Sequence, residues 1–195
     1  MRTIDHRWLA GLALLFFCSL ALATSVDDGF STSLSTNFVG AIAVQADGKI
    51  IIGGNISSIN GQPRQRIGRV HADGSLDTSF AEIAVDNWIY DIAIQADGRI
   101  VIAGKFSQVG VATRKGIARL NPDGSFDASF NANIGDDDSL SWAYSLALQP
   151  DGKIFVGGGF SRVGGVERRY LARLNVDGSV DMTYTPPLSG QATSG

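Results

Sequence analysis

The chain has 195 residues, enough for one sizeable domain, with 24 glycines, 5 prolines and a formal charge of −3. So mild a charge argues against nucleic acid as a partner, because that binding rests on clustered Lys and Arg. One cysteine, Cys18, and two histidines, His6 and His71, argue against a disulfide framework, a thiolate site or a His-rich metal cluster, and no cofactor is expected.

In chain order, Arg2 and Arg7 precede an almost wholly apolar run, residues 8–20, and Ala21-Leu22-Ala23 then places small residues at −3 and −1 of a cleavage site. This three-part layout predicts a signal peptide over residues 1–23, cut after Ala23. The apolar run is shorter than the roughly 20 residues a membrane span needs. Phe16 and Phe17 stand before Cys18 where a lipoprotein signal would carry small residues. The expectation is a secreted or periplasmic product with no membrane attachment after cleavage. Residues 24–37 are a polar lead-in, within which Phe30-Ser31-Thr32-Ser33-Leu34 reads as a worn copy of Leu76-Asp77-Thr78-Ser79-Phe80, the last strand of a preceding unit.

Three copies of one motif follow, at residues 41–80, 91–130 and 145–184. Their first Asp-Gly pairs are Asp47-Gly48, Asp97-Gly98 and Asp151-Gly152, and their second pairs Asp73-Gly74, Asp123-Gly124 and Asp177-Gly178. Within each copy the pairs are 26 positions apart, whereas the period between copies is 50 and then 54. A fixed interior with a variable connection marks a repeat architecture. Residues 38–184 thus divide at about 38–85, 86–139 and 140–184, and residues 185–195 read as a flexible tail.

The middle copy sets the unit. Residues 92–94 are a first strand, and Asp97-Gly98 is a hairpin turn in which both residues tolerate positive φ. Residues 99–103 are a second strand whose apolar run does not alternate, as in a strand covered on both faces. A loop passes Ser107, Gly110 and Arg114. Residues 116–121 are a third strand, Asp123-Gly124 a second turn, and residues 126–130 a fourth strand. The fold class expected is all-β, with three four-stranded antiparallel blades of β-propeller type in an incomplete or open propeller. Three blades are too few to close a ring, so either the sequence belongs to a longer propeller or copies associate through open blade faces, two sets of three giving six blades. A sequence end in mid-connection favours the first.

The pattern Q-x-D-G-[KR]-I, then G-x-F-S-x-V-G, then R-L-N-x-D-G-S-x-D-x-S-F resembles the delta-60 repeat family over residues 41–184. Copy one departs from it at Asn55-Ile56 and Val70-His71. The resemblance implies an exported bacterial protein with a fold similar to propellers of the NHL type, and it implies no catalytic residues.

Several residue sets could carry chemistry. Asn121, Asp123, Ser125 and Asp127 offer oxygens at alternate positions, as a calcium loop does, but lack a downstream bidentate Glu, and the turn already accounts for them. Asp136-Asp137-Asp138 reads as a solvated loop rather than a weak cation site. Arg69, Arg119 and Arg173 recur before each second turn and are read as structural, each pairing with a carboxylate or carbonyls of its own blade. Arg64, Arg114 and Arg168 align between second and third strands, joined by Arg66, Lys115 and Arg169, a candidate rim for an anionic polymer against the simpler reading of solvated loop charge. Phe38, Trp88 and Trp142 align nine residues before each first Asp-Gly, with Tyr90 and Tyr144 two positions on. Such a row could stack on sugar rings, or it could be buried between blades. Arg64, Arg114, Arg168, Trp88 and Trp142 are the candidate ligand rim. His71 reads as a turn-flanking residue, and Gly157-Gly158-Gly159 lacks the lysine and helix of a phosphate loop. The function expected is an exported, non-catalytic scaffold or binding module for an extracellular polymer or protein. The rivals are a propeller enzyme acting on a glycan or lactone, and a fragment of a longer cell-surface protein.

Overall fold

The computed structural model describes residues 29–135 and 141–186. The expected signal peptide with its cut after Ala23, Asp136-Asp137-Asp138 and residues 187–195 of the tail lie outside the described residues. Among the described residues every regular element is a β-strand.

The first blade runs β1 (Leu34–Val44), β2 (Ile50–Ile59), β3 (Gln62–Pro63) and β4 (Ile67–Val70). The second runs β5 (Ile89–Ile94), β6 (Ile100–Gly104), β7 (Gln108–Val109), β8 (Ala112–Thr113) and β9 (Ile117–Leu120). The third runs β10 (Trp142–Leu148), β11 (Ile154–Gly159), β12 (Arg162–Val163), β13 (Val166–Glu167) and β14 (Leu171–Leu174). In each, a central second strand pairs antiparallel with the first and third: β1-β2-β4, β5-β6-β9 and β10-β11-β14. The chain is all-β and built of three propeller-type blades.

The Asp-Gly turns differ in detail from the expectation. Gly48 N donates to the Gln45 carbonyl and Gln45 N to the Lys49 carbonyl, so the loop holds three residues, and Gly48 has φ 82° while Asp47 does not join it at positive φ. This is a type I turn closed by a glycine bulge. The aspartate acts through its side chain, whose Oδ1 accepts the amide two residues on from Lys49, Arg99 or Lys153. The connection expected as a loop after Ser107 contains the small hairpin β7-β8, turning at Gly110 with φ 59°.

The fourth strand is reduced to one bridge per blade, Val70 with Leu76, Leu120 with Phe126 and Leu174 with Val180. Its shortness has a local cause. Asp77, Asp127 and Asp181 accept the amide two residues on (Ser79, Ser129 and Thr183, each 2.9 Å), which bends the chain before a strand can extend.

The apolar core lies between blades. One cluster joins Ile51, Ile67 and Phe80 of the first blade to Ile89, Ile100, Ile102 and Leu120 of the second. Another joins Val101, Ile117 and Phe130 of the second to Ile154, Val156, Ala172 and Leu174 of the third. Strand β6 is therefore buried along its whole length, whereas Ile50 and Phe155 on the outer blades are half-exposed. Strands β4 and β9 are as deeply buried as β6.

Each junction also closes through backbone. Ala81 N donates to the Asp123 carbonyl (2.7 Å) and Asn131 N to the Asp177 carbonyl (3.2 Å). Ser31 N makes the same bond to the Asp73 carbonyl at 3.0 Å. Ser31 thus stands where Ala81 does, although its own backbone, and not the Phe30 ring, lies against Gly74. The lead-in echoes the repeat four positions away from the alignment expected, and Leu34 already belongs to β1.

Candidate functional site

The first strands bring the aromatic residues together. Each carries a register shift, between Val39 and Ala41, Ile89 and Asp91, and Ala143 and Ser145. The extra residues are Gly40, Tyr90 and Tyr144, and a bulge of this kind re-aims side chains away from the sheet. The bulge is anchored by glycines of the second strand. A Cβ at Gly54, Gly104 or Gly158 would collide with the carbonyl oxygen of Phe38, Trp88 or Trp142. The repeated glycine therefore lets the backbone behind each aromatic approach closely.

The result is a ladder of five rings across three blades. Phe38 lies 5.8 Å from Trp88 and 6.1 Å from Tyr90; Trp88 and Tyr90 are edge-on at 6.3 Å. Tyr90 meets Tyr144 across the second junction at 5.3 Å, and Tyr144 meets Trp142 edge-on at 6.1 Å. Lys105 Nζ stands 4.3 Å over the Trp142 ring, within cation–π range. The rings are not sealed in the core: Phe38 is 37% exposed, Trp88 39% and Tyr144 47%. Burial pushes the Tyr90 phenol up, with Tyr144 adding to the effect, so its hydroxyl stays protonated. Asp91 on the same strand is engaged, accepting the Leu146 amide of the third blade at 2.7 Å.

Of the five candidate rim residues, Trp88 and Trp142 stand in this ladder, and Arg64, Arg114 and Arg168 make their contacts elsewhere. Each of these arginines donates Nη1 to the carbonyl of the residue before it, Pro63 (2.7 Å), Thr113 (2.8 Å) or Glu167 (2.8 Å). Arg114 lies over the Phe126 ring at 5.0 Å, Arg168 approaches Met182 Sδ, and Arg64 is buried. Arg114 alone thus lies over the bridge residue of its own blade, Phe126. A cavity of about 330 Å3 lies at Glu167, Arg168, Arg169, Thr185 and Pro186.

The recurrent aspartates are committed to turns and ion pairs. Asp73, Asp123 and Asp177 each accept from the N–H and hydroxyl of Ser75, Ser125 and Ser179. These bonds hold all three carboxyls below the usual range. Arg69, Arg119 and Arg173 pair through Nε with Asp77 (2.8 Å), Asp127 (2.7 Å) and Asp181 (2.8 Å) of their own blades. Burial pushes the Asp77 carboxyl up, but the bonds from Ser79 and the Arg69 guanidinium more than offset it and hold it down at about 2. Among the described residues no group of three or more His, Cys, Asp or Glu converges as a metal site would. His71 flanks its turn 3.9 Å from Asp77.

The part played by Asp91 and Lys105 was not legible in the sequence. Neither recurs at its place in the sister copies, where Ala41 and Ser145, and Asn55 and Gly159, stand instead.

A family profile described as a domain of unknown function (DUF5122) beta-propeller matches residues 45–80, 95–130 and 149–184. Each match runs from just before a first Asp-Gly pair to the aromatic that closes the copy. Among curated proteins none matches the chain in sequence. The crystal structure of selenomethionine-substituted virginiamycin B lyase from Staphylococcus aureus is similar over 77% of this chain, at 16% identity and a TM-score of 0.42. The chain spans 43% of that lyase's length.

Proposed function

Because the chain belongs to the DUF5122 beta-propeller family, we propose that it is an exported, non-catalytic binding module whose ligand lies along the aromatic ladder. The observation that carries this reading is the continuous run of part-exposed rings from Phe38 through Trp88, Tyr90 and Tyr144 to Trp142. Flat aromatic faces receive the C–H faces of sugar rings, and phenol hydroxyls and the Lys105 ammonium supply donors beside them. A glycan chain is therefore the ligand class. The non-catalytic reading draws support from the recurrent aspartates of the second turns, which are tied into turns and arginine pairs instead of poised as acid and base. Export is supported by Arg2, Arg7, the apolar run and Ala21-Leu22-Ala23.

The test is titration of the purified chain with soluble polysaccharides, read by tryptophan fluorescence and by calorimetry. Binding should perturb the indole emission, leave the glycan uncut, and weaken about fivefold or more in Trp88→Ala and Trp142→Ala, since truncating an aromatic anchor of a binding surface costs about 1 kcal/mol or more. Equal binding by parent and both variants would overturn the ladder as the site. Shortened glycan products would overturn the non-catalytic reading.

A further inference from the structure

Both internal junctions close with the same lock. Arg69 Nη1 crosses to the Pro122 carbonyl at 2.7 Å, and Arg119 Nη1 crosses to the Val176 carbonyl. The same atoms approach Gln45 Oε1 (3.1 Å) and Gln95 Oε1 (3.3 Å). Beneath each guanidinium, at 4.8 Å and 4.7 Å, lie Phe80 and Phe130, whose rings press on Gly124 and Gly178 of the following blade. Those glycines have φ of 86° and 90° and no room for a Cβ.

The third blade carries the donor half of this lock complete. Arg173 pairs with Asp181 and lies 4.8 Å over Tyr184, as its counterparts lie over phenylalanine. Yet among the described residues Arg173 Nη1 has no acceptor, and its side chain is 20% exposed against 7% for Arg69 and 3% for Arg119. Gln149, at the place of Gln45 and Gln95, has an Oε1 shut from solvent with no partner. At the other end, the first blade presents the acceptor half. Ile42 and Val44 are 64% and 66% exposed, whereas Ile92, at the place of Ile42, is 7% exposed within the first junction. Ala72 stands two positions before Gly74, as Pro122 stands before Gly124 and Val176 before Gly178.

We propose that the outer face of the third blade docks on the outer face of the first blade of a second copy, repeating the internal junction. Arg173 Nη1 donates to the Ala72 carbonyl, Tyr184 faces Gly74, and Phe155 and Leu171, at the places of Ile51 and Ile67, cover Ile42 and Val44. Ser31, which holds the Asp73 carbonyl and lies against Gly74, yields that seat to the incoming Thr185. The contact is head-to-tail, and such contacts must close into a ring or grow without end. Two copies supply six blades, the one multiple of three within the roughly four to eight at which propellers close.

The experiment is sedimentation and light scattering on the purified chain and on two variants that spoil opposite faces, Ile42→Asp and Phe155→Asp. Thermal melts establish that each variant folds, and Arg173→Gln replaces Phe155→Asp if the latter does not. The parent should be dimeric, each variant alone monomeric, and the equimolar mixture of the two a dimer held by one intact junction. A parent that stays monomeric at every concentration overturns the proposal. So does a single variant that still dimerises, or a mixture that remains monomeric.

Discussion

Asp77 shows how one carboxylate couples a turn to a junction. It receives the Ser79 N–H and hydroxyl on Oδ1 and the Arg69 Nε on Oδ2, and that same arginine crosses to the next blade. Its pKa is lowered from an ordinary 3.8 to about 2, so the folded chain binds this proton less readily than the unfolded chain. The stability it contributes is full above the ordinary value and is lost as pH falls through the depressed one. On the order of 2 kcal/mol should disappear between about pH 4 and pH 2, with Asp127 and Asp181 acting in the same direction. Denaturant melts across that range are the check. Asp77→Asn should be less stable than the parent near neutrality and should lose less on acidification. An identical acid slope in parent and variant would contradict the linkage. That Arg69 and Arg119 find a partner in their own blade was legible from their recurrence, but not that it is a carboxylate rather than a carbonyl. Their reach to Pro122 and Val176 was not, because nothing in a repeat distinguishes a partner in the same copy from one in the next.

At the scale of the element, β6 is buried along its whole length between the two outer blades. Ile102 is fully buried between the first and second blades, on a strand with both faces covered. Ile102→Asp would bury a charge without a partner and should cost several kcal/mol, seen as a large fall in melting temperature. Melting indistinguishable from the parent would mean that β6 is not covered on both faces. The unbroken apolar run at Ile100-Val101-Ile102-Ala103 made this burial readable in advance. The turns were readable as turns, but their class was hidden, since Asp47-Gly48 suits a two-residue turn as well as the three-residue turn observed. The fourth strand was over-read for a related reason. Residues 126–130 carry an aromatic at each end, Phe126 and Phe130, but Asp127 turns its side chain back on the backbone and ends the pairing after Phe126. The aromatic ladder was half legible. Spacing aligned Phe38, Trp88 and Trp142, but the bulge that brings Tyr90 to Tyr144 depends on backbone contacts across the sheet.

For the whole molecule, the proposed export makes a covalent prediction. Mass spectrometry of material recovered outside the cytoplasm should show Thr24 as the first residue. A product that keeps Met1 and stays in the membrane fraction would argue instead for an anchored chain. The number and order of blades were plain from the three copies. The position of the core was less so, because it lies in the gaps between copies, where Phe80 of one unit meets Gly124 of the next.

That placement bears on how such a chain could have arisen. Each unit holds an arginine and a closing aromatic on one side, and a carbonyl and a turn glycine on the other. A tandem duplication of one unit therefore delivers both surfaces of a new joint at once, already matched, with no compensating substitution needed at either. The segment free to drift is the spacer, and it is there that the period changes from 50 to 54. Lengthening by whole units is thus a single genetic event, whereas any insertion inside a unit would have to be accommodated by two neighbours.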